Sequence, residues 1–376
     1  MGTTLSVPER LKFCLLAAGI TITDAATAVI REANGDRAMT PADYASTSGV
    51  ILQLDGDVWV NAPIAEYNSN FVSTSPFRLD RSSDSFVVYG NGMESRARFW
   101  LPPLYHGQLG ANGKPLNNYV FTHADRVRLS PITGCTMTCE FCNIPYEDRY
   151  STKSVDAMLV AVHSALQDSL QPARHLLVSG GTPSRRDVNY LREVYRRVLA
   201  EFPEISIDIM MVPVEGLFDL HELDELGLNE LSINIEIFNR AIGASLMRQK
   251  HRQGMEYYLN FLAQAAEVLG PGRVRSMLMV GLEPMVDTLD GVRAIVERGC
   301  VPVLSPFRPD PATPLRATEP PSADQLEQTY LRAREIASAA GISVGPACPP
   351  CSHNTLTFVG SASQPAVYLH PQPTMV

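Results

Sequence analysis

Three of the chain's seven cysteines stand within one short stretch, Cys135, Cys139 and Cys142, in the spacing C-x3-C-x2-C. Thiolates are soft, strongly donating ligands that select zinc or iron–sulfur centres over hard cations. A structural zinc site closes with four protein ligands, commonly two short pairs, and no partner pair lies near these three in sequence. Three cysteines on one loop instead suit a cubane [4Fe–4S] cluster with one iron left for a small molecule. Cys348 and Cys351 form a separate C-x2-C with His353 close behind. Two cysteines cannot hold a cubane unaided, so Ser352, His353, Asn354 or a residue of a partner subunit would have to complete a second iron–sulfur cluster there. The same pair could instead be a redox or hydrogen-atom-donating dithiol, or bind zinc. Cys14, on an apolar helix face, and Cys300 read as buried structural thiols.

Loop ligands need rigid elements behind them. From about Arg126 onward, short β-branched runs alternate with stretches whose apolar residues recur at three- and four-residue spacing, the pattern of parallel strands joined by crossover helices. It predicts strands at 126–130, 175–179, 205–212, 231–237, 275–281 and 301–306. Helices are expected at 154–170, 186–201, 220–226, 255–269 and 286–298, and a sixth after "PPSADQ", where Ser322 and Gln325 have capping-box spacing. Six βα units fit an open sheet or a partial barrel, and in both the ligands gather beyond the C-terminal ends of the strands. The cysteine triplet lies there, just after the first strand.

Residues 1–125 differ in character. Helices at 8–20 and 23–33 precede two hairpins, "VILQLDGDVWVNA" around Asp55-Gly56 and "FVVYGNGMESRARFW", so a small N-terminal α+β module is expected. The barrel then occupies 126–340, and a cysteine-containing tail, 341–376, is expected to carry an auxiliary cluster or to cap the barrel mouth.

The chain of 376 residues carries 40 acidic against 31 basic side chains, and the basic residues are scattered, which argues against a nucleic-acid partner. Apolar runs such as 14–22 are about half the length that crosses a bilayer, so no membrane span is expected. An odd number of cysteines, clustered rather than spread as a disulfide framework, suits a reducing cytoplasm.

The triplet, with aromatic Phe141 directly before its last cysteine, resembles the signature of the radical S-adenosylmethionine (SAM) superfamily, and later strand ends extend the likeness toward lipoyl and biotin synthases. "SGGTPS" is similar to the family's GGE-type segment, with Thr182 in place of Glu. "SINIEIF" resembles N-x-E on strand four, and "MLMVGLEP" resembles GxIxGxxE on strand five. The resemblance implies a partial (β/α)6 TIM-type barrel in which Cys135, Cys139 and Cys142 hold a [4Fe–4S] cluster. It implies that Gly180, Gly181 and Thr182 receive the SAM amino group and that Asn234 and Glu236 reach its ribose and amino acid. Val280, Gly281 and Leu282 would face adenine through their backbone, with Glu283 as a terminal acidic residue.

A low-potential donor such as flavodoxin or ferredoxin would then supply an electron, SAM would yield a 5′-deoxyadenosyl radical, and that radical would take hydrogen from a small-molecule or carrier-bound substrate. If Cys348 and Cys351 ligate a sacrificial cluster, the expected outcome is sulfur insertion, or C–S bond formation, in cofactor or metabolite biosynthesis. A carbon-skeleton rearrangement, lyase or epimerase using those thiols as donors is the alternative, and a non-catalytic iron–sulfur or zinc scaffold the third reading. Arg308 and Asp310 could meet a polar substrate, Tyr146, Asp148 and Arg149 could shape the SAM pocket, and 248–258 and His175 read as scaffold.

Overall fold

The computed structural model describes residues 4–40, 43, 49–68, 70, 72, 74–83, 85–358 and 375–376. Helix α1 (Val7–Ala18) opens on a capping box in which the Glu9 carboxylate accepts from the Ser6 amide at 2.8 Å. Helix α2 (Asp24–Ala33) is capped by Thr23, whose hydroxyl accepts from the Ala26 amide. Strands β1 (Thr21–Ile22), β2 (Gly49–Leu54), β3 (Val58–Pro63), β4 (Arg78–Arg81), β5 (Phe86–Gly90) and β6 (Met93–Phe99) form a sheet in the order β1-β4-β5-β6-β2-β3. Both expected hairpins are present in it. Asn91 and Gly92, both at positive φ, make the two-residue turn between β5 and β6.

A second sheet has the order β15-β14-β13-β12-β11-β8-β7. Its parallel strands are β8 (Arg126–Leu129), β11 (His175–Ser179), β12 (Ser206–Met210), β13 (Glu230–Ser232), β14 (Val274–Val280) and β15 (Val301–Pro306). These six strands, alternating with helices, are the expected partial TIM-type barrel. The crossovers contain α4 (Val155–Leu166), α5 (Val188–Glu201), α6 (Leu220–Glu225), α7 (Arg240–Leu246), α8 (Arg248–Gln253), α9 (Met255–Leu269) and α10 (Met285–Val296). Helix α11 (Ala323–Ala339) follows β15 and starts on the Ser322/Gln325 capping box. Between β8 and α4 the chain makes a small antiparallel pair, β9 (Ile132–Thr133) with β10 (Ser151–Thr152), and the one-turn helix α3 (Ile144–Glu147).

Two differences from expectation have local causes. Strand β7 (Val120–His123), which lies N-terminal to a boundary drawn at residue 125, pairs antiparallel with β8 and is the edge of the barrel sheet. The stretch 231–237 leaves the ladder after Ser232, where the Asn234 side-chain oxygen accepts the Met277 amide at 3.2 Å in place of a backbone carbonyl. Pairing returns as a single bridge at Glu236, whose φ is 68°.

Apolar side chains such as Leu176, Val178, Ile207, Ile209 and Leu278 join the helices in a continuous core that extends into the module. Helix α1 packs against β3, β6 and α11. The segment beyond α11 runs beside β15, with Gly345 bridged to Val303 and the Leu356 amide donating to the Leu304 carbonyl. At the chain end, Val376 exchanges backbone hydrogen bonds with Phe99 of β6.

Candidate active site

The triplet sits on the loop between β9 and α3, beyond the C-terminal end of β8. Its shape is set by close backbone approach. Gly134 has a φ of 69°, and a Cβ on Gly181 would lie 1.7 Å from the Gly134 carbonyl oxygen, so the turn after β11 and the cysteine loop touch only because position 181 has no side chain. The Thr182 amide donates to the Cys135 sulfur at 3.2 Å and the Met137 amide does so at 3.3 Å. Thr136 returns its amide and hydroxyl to the Thr182 carbonyl. On the far side the loop is held by Tyr150, whose hydroxyl donates to Asp187 at 2.7 Å while accepting from the Ser184 amide.

The sulfurs of Cys139 and Cys142 both feel the charges of Glu236 and Cys135. Burial, then the Glu236 carboxylate, pushes the Cys139 thiol up; burial chiefly pushes Cys142 up to about 11, with Glu236 adding. Only a bound cation would keep such thiols ionised near neutrality. All seven cysteines are unpaired by disulfides. Three soft donors on one loop, amides already directed at a sulfur, and a cradle that a methyl group would fill together fit an iron–sulfur cluster with three protein ligands.

The other expected site residues divide by what their polar atoms already hold. Glu236 points toward the triplet and pairs with Lys250 Nζ at 2.7 Å, and the same ammonium donates to the Asn234 carbonyl at 3.0 Å. Lys250 lies in the 248–258 stretch that reads as scaffold from sequence, and spacing offered no signal for it because its partners are on β13's extension. Asn234 is buried, its side-chain oxygen taken by the Met277 amide and the Ser232 hydroxyl. Glu283 is buried with both oxygens occupied, by the Phe238 and Asn239 amides and the Thr288 hydroxyl, so it braces the turn after β14. Gly281, at φ 111°, packs against Pro321, and the Val280 carbonyl accepts the Phe307 amide; Leu282 is half-buried beside them.

Two cavities flank the cysteine loop and share Asn143. One, of about 140 Å³, is lined by Phe141, Met279 and residues 305–310. Arg308 in its wall donates to the Asn61 side chain at 2.9 Å and so joins barrel to module, while Asp310 accepts the Ala312 amide. The other is a cleft of about 670 Å³ bounded by Phe121, His123, Arg128, Gly134, Lys153 and Gly180. Arg128 Nε is buried without a hydrogen-bond partner among the described residues. Burial, with Arg128 nearby, pulls Lys153 down to about 8. Tyr146 is largely exposed, and the backbone at 148–150 packs on Gly134.

The terminal pair is not at the barrel mouth. Cys348 and Cys351 are buried beside His175, the first residue of β11, and Asp125, which precedes β8. Those positions are the N-terminal ends of the strands, opposite the triplet. Gly345 and Leu356, on either side of the pair, are both tied to β15, at Val303 and Leu304, which keeps the segment between them against that strand rather than over the barrel top. His353 does not join the pair; its ring lies 6.1 Å from that of His123, with both nitrogens unpartnered among the described residues. Cys300 contacts the Leu262 carbonyl and stands outside both groups.

Residues 129–293, the stretch with the triplet and strand ends β11 to β14, match the radical SAM superfamily. The bacteriochlorophyllide c C-7(1)-hydroxylase of Chlorobaculum limnaeum is 28% identical over 172 residues, 43% of this chain and 43% of that protein. The chain thus spans less than half the length of this curated relative. Among solved structures, a radical SAM methyltransferase from Sphaerobacter thermophilus superposes with a TM-score of 0.47 at 15% identity, covering 72% of this chain and 76% of that one. The FeFe-hydrogenase maturase HydG from Carboxydothermus hydrogenoformans gives 0.45 at 15% identity, over 59% and 54%. The three-cysteine loop falls inside residues 129–293, the stretch that matches the radical SAM superfamily, a family that implies a [4Fe–4S] cluster and SAM.

Proposed function

We propose that this enzyme removes a hydrogen atom from an unactivated carbon of a substrate bearing a carboxylate or phosphate, held in the cleft between β7, β8 and the loop that follows the triplet. The observation that carries the reading is the clamp of the cysteine loop onto Gly181 and Thr182, with Glu236 on β13's extension beside it, paired to Lys250 of α8. A [4Fe–4S] cluster bound there would supply the low-potential electron for reductive cleavage of SAM, the chemistry that makes hydrogen-atom removal from such a carbon possible. Cys135, Cys139 and Cys142 would hold that cluster through their sulfurs. The turn at 180–182 and the Glu236–Lys250 pair orient SAM, Glu236 accepting from its hydroxyl or ammonium groups. Arg128 and Lys153 supply the positive wall for an anionic substrate group.

The Chlorobaculum relative is named for hydroxylation, and functionalising a C–H bond in that manner is the first reading of the outcome. Sulfur insertion is the second, favoured by two buried thiols in the same barrel, though they lie at the strand ends away from the triplet. An oxygen-sensitive cluster and seven unpaired thiols suit the cytoplasm and a flavodoxin- or ferredoxin-type donor.

The test is anaerobic reconstitution with iron and sulfide, reduction by dithionite and addition of SAM. Equal release of methionine and 5′-deoxyadenosine is expected, abolished by replacing Cys135, Cys139 and Cys142 with Ala. SAM left intact by a fully loaded protein, or cleavage that survives loss of the triplet, contradicts the reading.

A further inference from the structure

We propose that Asp125, His175, Cys348 and Cys351 form a second, mononuclear metal site: a closed zinc clip that fastens the C-terminal segment into the N-terminal end of the barrel. A carboxylate oxygen, a ring nitrogen and two sulfurs lie within 4.8 Å of one another, and all four residues are buried. Cys351 Sγ is 3.1 Å from His175 Nε2. The Cys351 amide donates to the Cys348 sulfur at 3.3 Å, which turns both sulfurs of the C-x2-C to one side. Asp125 Oδ1 lies 3.8 Å from His175 Nδ1 and has no hydrogen-bond partner among the described residues, a buried carboxylate oxygen without a donor.

The compactness of the set decides the kind of centre. Zinc binds sulfur at ~2.3 Å and nitrogen or oxygen at ~2.0–2.2 Å, so the donors of a tetrahedral site stand less than about 4 Å apart. Four donors within 4.8 Å close on such an ion with small side-chain movement. A binuclear or cubane core needs its ligands spread to opposite ends of a larger body, which this set does not do. The mixture of two thiolates, one imidazole and one carboxylate is within zinc's range of ligands. Two thiolates and a carboxylate bring three negative charges, which a divalent ion and the guanidinium of Arg126, acting on both Asp125 and Cys351, balance.

The position decides the role. Asp125 and His175 stand at the starts of β8 and β11, whereas the triplet follows the ends of those strands. A five-residue strand separates its ends by ~13 Å at ~3.3 Å per residue. With four protein donors no coordination position is left for substrate, so the ion is structural. It joins three distant parts of the chain and releases its energy as folding stability.

The inference does not depend on the radical reaction. Zinc, iron and sulfide are counted in the full-length protein, grown with zinc present and reconstituted anaerobically. About one zinc per chain is expected beside the iron of the triplet, retained when Cys135, Cys139 and Cys142 are Ala and lost in Cys348→Ser/Cys351→Ser. Exchange of the wild-type ion for Co(II) is expected to give thiolate-to-cobalt charge transfer with tetrahedral ligand-field bands, a readout that does not require the variant to fold. Iron and sulfide persisting in the triplet variant would show a second cluster and overturn the proposal. So would wild-type protein free of zinc whose terminal thiols react freely.

Discussion

At the scale of residues, the site depends on one missing side chain as much as on three present ones. Gly181 lets the turn after β11 touch the cysteine loop, and Ala there would drive a methyl group to 1.7 Å from the Gly134 oxygen. Neither partner is the end of a flexible side chain, so the loop has to move. Gly181→Ala is therefore expected to retain less than about half the wild-type iron after reconstitution, while the far-UV spectrum is unchanged because the strain is local. Wild-type iron content in this variant would show that the contact is not needed. The triplet and Gly181 were legible because ligand spacing and a GGT turn are both local patterns. Lys250 was not, since its ion pair with Glu236 joins α8 to β13's extension, and neither was the grouping of Asp125 and His175 with Cys348 and Cys351 across more than half the chain. His175 read as scaffold from its place at the start of a strand; that place is correct, but the tail reaches it.

At the scale of elements, caps and periodicity were legible and edges were not. The capping boxes at Ser6 and Ser322 and the Asn91-Gly92 turn form as their residue types require. Strand β7 was not legible because an edge strand of four residues carries little alternation. Helix α1 shows what the tail needs besides the clip. Lys12 is fully buried, and its ammonium donates to the Ser352 and Thr357 carbonyls at 2.8 and 2.7 Å, beneath the Phe358 ring. Burial holds its pKa well below the usual lysine value. Lys12→Met keeps the volume but takes the ammonium donor from the buried Thr357 carbonyl, while the Ser352 carbonyl keeps the Thr355 amide and hydroxyl, and is expected to cost ~1–3 kcal/mol. Urea unfolding measures this, and faster proteolysis within 345–358 should accompany it. An unchanged midpoint with unchanged proteolysis would exclude Lys12 as a fastener of the tail.

At the scale of the whole molecule, the partial barrel gathers two sets of soft donors at opposite ends. Beyond the C-terminal ends of the strands, three sulfurs present an incomplete ligand set beside open cavities; at the N-terminal ends, four enclosed donors leave nothing open. The N-terminal module leans on the same barrel through α1 against α11 and through Asn61 against Arg308. A parallel α/β sheet and its active end follow from alternating periodicity, because ligands collect beyond the C-terminal ends of parallel strands, whereas the choice of a partial barrel over an open sheet came from the family resemblance. The direction of the tail does not follow, since nothing local says which way a segment runs once it pairs with β15. The claim on which the whole account rests is that the triplet leaves one iron for SAM. Electron–nuclear double resonance of the reduced, reconstituted chain with SAM labelled at its amino nitrogen tests it most directly. Hyperfine coupling from that nitrogen to the cluster is the predicted result; a spectrum unchanged by SAM, with a fourth protein ligand on the cluster, would contradict it.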